Sequence, residues 1–143
     1  MVGLLLALLS GALMSVQGVF NTEVTKQSSI WVAAGFVQIT AFVVCLAAWL
    51  ITGRESVSSL FSVHPWYMLL GGVIGAFITI TVIMSMNSLG PAKAALLIVT
   101  AQVLVAYLIE LFGLFGVEKA GFEWRKLFGM LLAVGGIALF KWD

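Results

Sequence analysis

Charged residues are scarce in this chain. Asp, Glu, Lys and Arg make up 9% of its 143 residues, whereas 62% of the residues are hydrophobic. Soluble domains are about a quarter charged, so the composition excludes an ordinary globular core. The net charge is only +1 and no basic run occurs, so a nucleic-acid partner is not expected.

Cysteine and histidine are nearly absent, with one residue of each in the chain. The sequence therefore contains no His or Cys cluster to hold a metal ion, and the apolar stretches contain no nucleophile–base pair. Neither a metal, a cofactor nor an enzymatic activity is expected.

Long apolar runs dominate what remains. A membrane-spanning helix needs about 20 mostly apolar residues, and four of the five stretches meet this length. The fifth is shorter, but its terminal lysines can snorkel to the interface. Tryptophans stand at the stretch ends, as is typical of the membrane–water interface. The sequence predicts an all-α integral membrane protein, one domain over residues 1–143, with five transmembrane helices at 2–22, 30–52, 66–88, 92–115 and 126–141; the tryptophans are Trp31, Trp49, Trp66, Trp124 and Trp142.

The loop charges give almost no preferred orientation. Lys and Arg bias sets the topology of membrane proteins, and alternate loops here carry three positive charges on one side (Lys26, Lys93, Lys141) and four on the other (Arg54, Lys119, Arg125, Lys126). Insertion in both orientations is favoured, with orientation by a single dominant loop as the alternative. Because many transporters consist of two inverted repeats, two oppositely inserted copies would supply the pair as an antiparallel homodimer.

Polar side chains interrupt the apolar stretches, first in GALMSVQGVFN at residues 11–21. By helical rise, Gln102 and Thr79 fall near the middle of their helices, Gln38 about 4 Å and Gln17 about 6 Å from it. Burying an amide without a partner costs about 2–7 kcal/mol. The glutamines are therefore expected to line a solute cavity, with an interhelical hydrogen-bond lock as the alternative.

Glu110 is the one acidic residue well inside a predicted span, about 10 Å beyond the middle of the fourth helix. An ionisable residue inside the membrane is a functional hypothesis by default. We expect Glu110 either to couple protons or to gate the end of the pathway, unless it simply reaches the interface.

Several segments together resemble the YdcZ-like family, a half-size branch of the drug/metabolite transporter superfamily. They are GALMSVQGVFN, PWYMLLGGVIGAF, LGPAKAALLIVTAQVLVAYLIELFGLFG and WRKLFGMLLAVGGIALF. The resemblance spans essentially the whole chain and implies an inner-membrane exporter whose five-helix unit pairs in antiparallel fashion, as a homodimer, a heterodimer or a fused ten-helix chain. Carried over by position, the family pattern falls on Gln17, Asn21, Gln102 and Glu110. Related small multidrug exporters carry an acidic residue in the middle of helix 1, where this chain has only Gln17, so cation–proton antiport of that kind is not implied.

These observations predict a multi-pass transporter of the inner membrane that exports a small polar or amphipathic solute by alternating access. A homodimer in antiparallel orientation, the bilayer and the solute are its expected partners, and it has no cofactor. The alternative is a non-transporting membrane scaffold or assembly subunit with its glutamines locked together. The predicted substrate-binding residues are Gln17, Asn21, Gln38, Thr79 and Gln102, with Glu110 for proton coupling or gating.

Overall fold

The fold is all-helical over residues 1–140, the part of the chain that a computed structural model describes. Its α-helices are α1 Val2–Gln27, α2 Ile30–Thr52, α3 Gly71–Leu89, α4 Pro91–Phe112 and α5 Trp124–Phe140. Short 3-10 helices cover Val57–Ser62, Trp66–Leu70 and Leu114–Gly116. Two predicted interface residues lie outside the described residues: Lys141, which ends the predicted fifth span, and Trp142.

Four segments are long and apolar enough to cross a membrane: Val2–Gln27, Ile30–Thr52, Trp66–Leu89 and Pro91–Phe112. This agrees with a membrane protein of several spans. The helix α5 has 17 residues within the described range, which is short for a span of about 20. The fifth transmembrane helix therefore stays a prediction.

Three helix ends differ from the sequence prediction by three residues or more. The helix α3 begins at Gly71 instead of residue 66, after the 3-10 helix Trp66–Leu70. The helix α1 continues to Gln27 instead of ending near residue 22, because the hydroxyls of Thr22 and Thr25 donate to carbonyls of their own helix at 2.8 Å and so need no water. The helix α4 ends at Phe112 instead of residue 115, because Gly113 adopts a left-handed conformation (φ 65°) that terminates the helix.

The fourth helix begins at Pro91, one residue before the predicted residue 92. Gly90 takes φ 80° at the N-cap and Pro91 occupies the first helical turn, where its missing N–H removes no hydrogen bond. The serine pair between α1 and α2 forms the other tight connection. Ser28 caps α1, and Ser29 accepts a hydrogen bond from the Val32 amide at 3.3 Å.

The chain divides into two compact units, residues 1–88 and residues from Leu89 onward. In the first unit, the buried residues cluster where the end of α1, the start of α2 and the end of α3 meet. We call this cluster the packed end; it comprises Gly18, Asn21, Thr22, Ala33, Ala34, Ile83 and Met86. At the opposite end, which we call the open end, residues 1–17 of α1 and 39–48 of α2 are all exposed.

Close helix contact at the packed end depends on Gly18. A Cβ at this position would lie 2.5 Å from the Met86 methyl carbon and 3.3 Å from a Val82 methyl carbon, both on α3. Real Cβ atoms do not approach so closely, so α3 can lie against α1 here because residue 18 has no side chain. Small residues permit such approach in membranes, where packing drives helix association.

The second unit is a hairpin of α4 and α5. Its connection turns sharply at Gly113, where a Cβ would lie 3.2 Å from the Cβ of Lys119 and 3.4 Å from the Val117 carbonyl oxygen. The Ala120 amide donates to the Glu110 carbonyl at 2.8 Å. The loop is thereby fixed against the last turn of α4.

Candidate functional site

Gln17 lies on α1 at the boundary between the open end and the packed end. Its side chain is exposed within the single chain, whereas the next residue, Gly18, is buried. In the helix as observed, Gln17 stands about 4 Å from the middle. Its carboxamide makes no hydrogen bond within residues 1–140, so it is available to a partner outside this chain.

Gln38 and Thr79 each lie beside Gly75 in the first unit. The amide nitrogen of Gln38 lies 3.9 Å from the position a Cβ would occupy at Gly75 of α3. One turn further along α3, the Thr79 hydroxyl donates to the Gly75 carbonyl at 3.0 Å. Both side chains are half-buried. Gln38 thus lies beside Gly75 of α3, at a distance that a Cβ there would also allow as ordinary van der Waals contact.

Asn21 lies deeper, in the packed end. The residue is 8% exposed, and its carbonyl oxygen accepts the Thr25 hydroxyl at 2.8 Å. Its carboxamide makes no hydrogen bond within the described residues. Asn21 follows Gln17 by four positions, so the two lie on one face of α1.

Gln102 stands about 1 Å from the middle of α4 by helical rise. It is exposed in the single chain and makes no side-chain hydrogen bond to another described residue. Gln102 therefore resembles Gln17: each places an accessible, unpaired carboxamide near the middle of an apolar helix.

Glu110 lies near the end of α4, about 13 Å from the middle of that helix. Its carboxylate accepts a hydrogen bond from the Lys126 ammonium at 3.4 Å, and the side chain is 47% exposed. Lys126 also lies 3.5 Å from the Glu123 carboxylate and 5.8 Å from the centre of the Tyr107 ring. The Glu123 amide donates to the buried Tyr107 hydroxyl at 3.3 Å.

These contacts define a polar cluster at the turn of the α4–α5 hairpin, formed by Tyr107, Glu110, Glu123 and Lys126. Glu110 was evident from the sequence but its partners were not, since their proximity depends on how the hairpin closes. One signal was present: two basic residues stand in the first turn of α5, as is expected where two antiparallel helices bring opposite charges together.

A small cavity of about 40 Å³ lies between the start of α4 and the end of α5. Its lining is apolar except for Lys93, and none of the predicted site residues contributes to it; it is lined by Leu89, Lys93, Leu96, Leu97, Ile137 and Phe140. The predicted polar positions are thus separate from this cavity.

Within the first unit, therefore, Gln38 and Thr79 each neighbour Gly75, while Gln17 and Asn21 share a face of α1. Within the second unit, Glu110 joins the polar cluster and Gln102 stands free of it.

Comparison with known families places residues 2–139 in the family described as "Putative inner membrane exporter, YdcZ". Comparisons with curated proteins and with solved structures gave no match. The family match covers nearly the whole chain and agrees with its apolar helices.

Proposed function

The chain belongs to the YdcZ family of inner-membrane exporters, and we propose that two copies in opposite orientation move a small polar or amphipathic solute by alternating access. Two identical antiparallel units have two equivalent end states, open to either side. Because the two states are equivalent, net transport through their exchange needs no energy source other than a gradient. The family match and the apolar helices support an exporter of the inner membrane, and the pairing and mechanism are our proposal.

The observation that carries this proposal is the exposure of Gln17 and Gln102. Both carboxamides lie near the middle of apolar helices, both are accessible in the single chain, and neither is hydrogen-bonded within residues 1–140. Facing lipid, each would forfeit its hydrogen bonds at a cost of about 2–7 kcal/mol. A polar interior shared by two copies would satisfy them with water, solute or each other.

Within that interior, we assign solute binding to the carboxamides of Gln17, Asn21, Gln38 and Gln102, and to the hydroxyl of Thr79. For Glu110 we favour gating over proton coupling. Its ion pair with Lys126 holds the carboxylate at the hairpin turn, where it borders the end of a pathway and not its middle.

Orientation provides the first test. We expect a reporter fused to the C-terminus to be found on both sides of the membrane in similar amounts. Two matched variants sharpen the test: Ser28→Lys adds a charge to the α1–α2 connection, and Ser58→Lys adds one to the opposite loop. Because the loop charges are nearly balanced, each variant should shift the population towards one orientation, and the two shifts should be opposite. A wild-type chain found in one orientation only would contradict the antiparallel homodimer.

Transport and scaffold functions are separated by Gln17→Ala. A broad metabolite screen for thermal stabilisation of the purified dimer identifies the solute class. If the protein is a transporter, the variant should assemble normally and lose the stabilisation. If it is a scaffold with its glutamines locked together, the variant should instead lose assembly, and no metabolite should stabilise the wild type.

A further inference from the structure

Charged side chains in this chain are confined to the helix ends. Over the described parts of α1 to α5, every Asp, Glu, Lys and Arg lies within five residues of a helix terminus. The helices α2 and α3 carry no such residue. The six positions are Glu23, Lys26, Lys93, Glu110, Arg125 and Lys126.

The middles of the helices are polar but uncharged. Gln17, Gln38 and Gln102 present carboxamides there, and Thr79 presents a hydroxyl whose hydrogen is already donated to the Gly75 carbonyl. A carboxamide offers two donors and one acceptor oxygen. This set can exchange hydrogen bonds with a solute but can supply no countercharge to it.

Glu110, the acidic residue of α4, is paired with a neighbouring positive charge. Glu110 is held by Lys126, which in turn contacts Glu123 and lies over the ring of Tyr107. The cluster therefore retains Glu110 at the hairpin turn, about 13 Å from the middle of α4.

We infer that the transported solute crosses the membrane as an electrically neutral, hydrogen-bonding molecule, and that its movement is not coupled to protons. This inference rests on the proposed transport function and narrows it. A charge at the bilayer centre costs at least about 2.5–3.5 kcal/mol, and the carboxamides lack the opposite charge that would offset this cost. A neutral solute carrying amide or hydroxyl groups incurs no such cost and matches the donors and acceptors present.

Neutral transport has an electrical signature. A membrane potential of 100 mV changes the free energy of moving one elementary charge across the membrane by about 2.3 kcal/mol. For a monovalent ion this free energy corresponds to a concentration ratio across the membrane of about 50-fold, because each tenfold ratio corresponds to about 1.4 kcal/mol. For a neutral solute that moves without protons, the concentration ratio across the membrane stays at one, with or without a pH gradient.

The test uses the purified full chain in proteoliposomes and probes that share a skeleton but differ in charge. Glucose, gluconate and glucosamine form one set, and nicotinamide, nicotinate and 1-methylnicotinamide form another. Uptake is measured at 0 and −100 mV, with and without a pH gradient. Gln17→Leu removes a proposed binding group, and Ser15→Ala is its control, because the Ser15 hydroxyl already donates to the Gly11 carbonyl at 3.1 Å.

We expect the neutral member of at least one set to enter at least tenfold faster than its charged relatives, at a rate that changes less than twofold with potential or pH gradient. Gln17→Leu should reduce that rate at least tenfold, and Ser15→Ala should leave it unchanged. Faster entry of a charged member, or uptake that follows either gradient, would overturn the neutral-solute inference and leave transport itself intact. Entry of no probe in either set above empty liposomes would count against the proposed transport function, and the inference would fail with it.

Discussion

The two ends of the first unit differ in how they are packed, and the more apolar of the two is the exposed one. At the packed end, α3 lies against Gly18 and Ile83 is 1% exposed, whereas at the open end every residue of α1 from Val2 to Gln17 is exposed. Hydrophobicity alone does not decide which surface a membrane helix buries, because lipid is as apolar as leucine. Close contact requires a fitted surface, and the packed end has one.

The burial of the polar residues of α1 changes at the same place. Asn21 and Thr22 are buried beyond it, while Gln17 stands on the open side without a hydrogen-bond partner among the described residues. The boundary therefore separates residues that are buried within the single chain from residues that are exposed on it. Three experiments test that difference, beginning with the one that is expected to show the largest effect.

Shortening Ile83 to alanine should cause the largest loss of stability. The side chain is almost fully buried, and its removal leaves a cavity, for which about 2–5 kcal/mol of unfolding free energy is typical. The control is Ile74→Ala on the same helix, since Ile74 is 56% exposed and should change the free energy by less than about 1 kcal/mol. Unfolding of the purified protein by denaturing detergent measures both. Equal losses would mean that the burial of Ile83 contributes no more stability than an exposed isoleucine of the same helix does.

Adding one methyl group to Gly18 should have an intermediate effect. Gly18→Ala forces the flexible end of Met86 to move away from α1, and overpacking of this kind costs about 1–3 kcal/mol, here towards the lower value because methionine adapts easily. Gly11→Ala is the matched control, seven residues earlier on the same helix, where nothing lies within 4 Å of the added carbon. Its unfolding free energy should stay within about 0.5 kcal/mol of the wild type.

A combined result would be especially informative. If Gly11→Ala leaves the unfolding of the chain unchanged but weakens its self-association, the open end contacts a second copy. If Gly18→Ala proves as harmless as Gly11→Ala, the close approach of α1 and α3 does not contribute to stability.

The positions of the spans could be predicted from sequence because they depend on local composition. Four long apolar stretches and the Gly90–Pro91 start of α4 are visible in the order of residues alone. The extension of α1 to Gln27 was not predicted, because polar residues such as Thr22 and Thr25 indicate the end of an apolar helix. In the structure, their hydroxyls donate hydrogen bonds to carbonyls of the same helix. The early end of α4 depends on the left-handed conformation of Gly113, one of fifteen glycines in the chain.

The environment of the candidate site was less predictable, because it depends on which surfaces meet. The spacing of polar residues indicated that Gln17 and Asn21 share a face of α1. It did not reveal that one is exposed and the other buried, since that follows from where Gly18 lets α3 approach. Similarly, the position of Glu110 was evident, while its pairing with Lys126 arises from closure of the α4–α5 hairpin.

The smallest effect is expected from the ion pair of Glu23 and Lys26, which are 2.6 Å apart in the last turns of α1. The pair is short, but both side chains are more than half exposed, and pairs three residues apart on a helix contribute about 0.2–0.5 kcal/mol. A double-mutant cycle with Glu23→Gln and Lys26→Met should therefore give a coupling energy of this size that decreases with added salt. A coupling above about 1 kcal/mol would contradict this assignment as a weak, solvent-exposed pair within one helix.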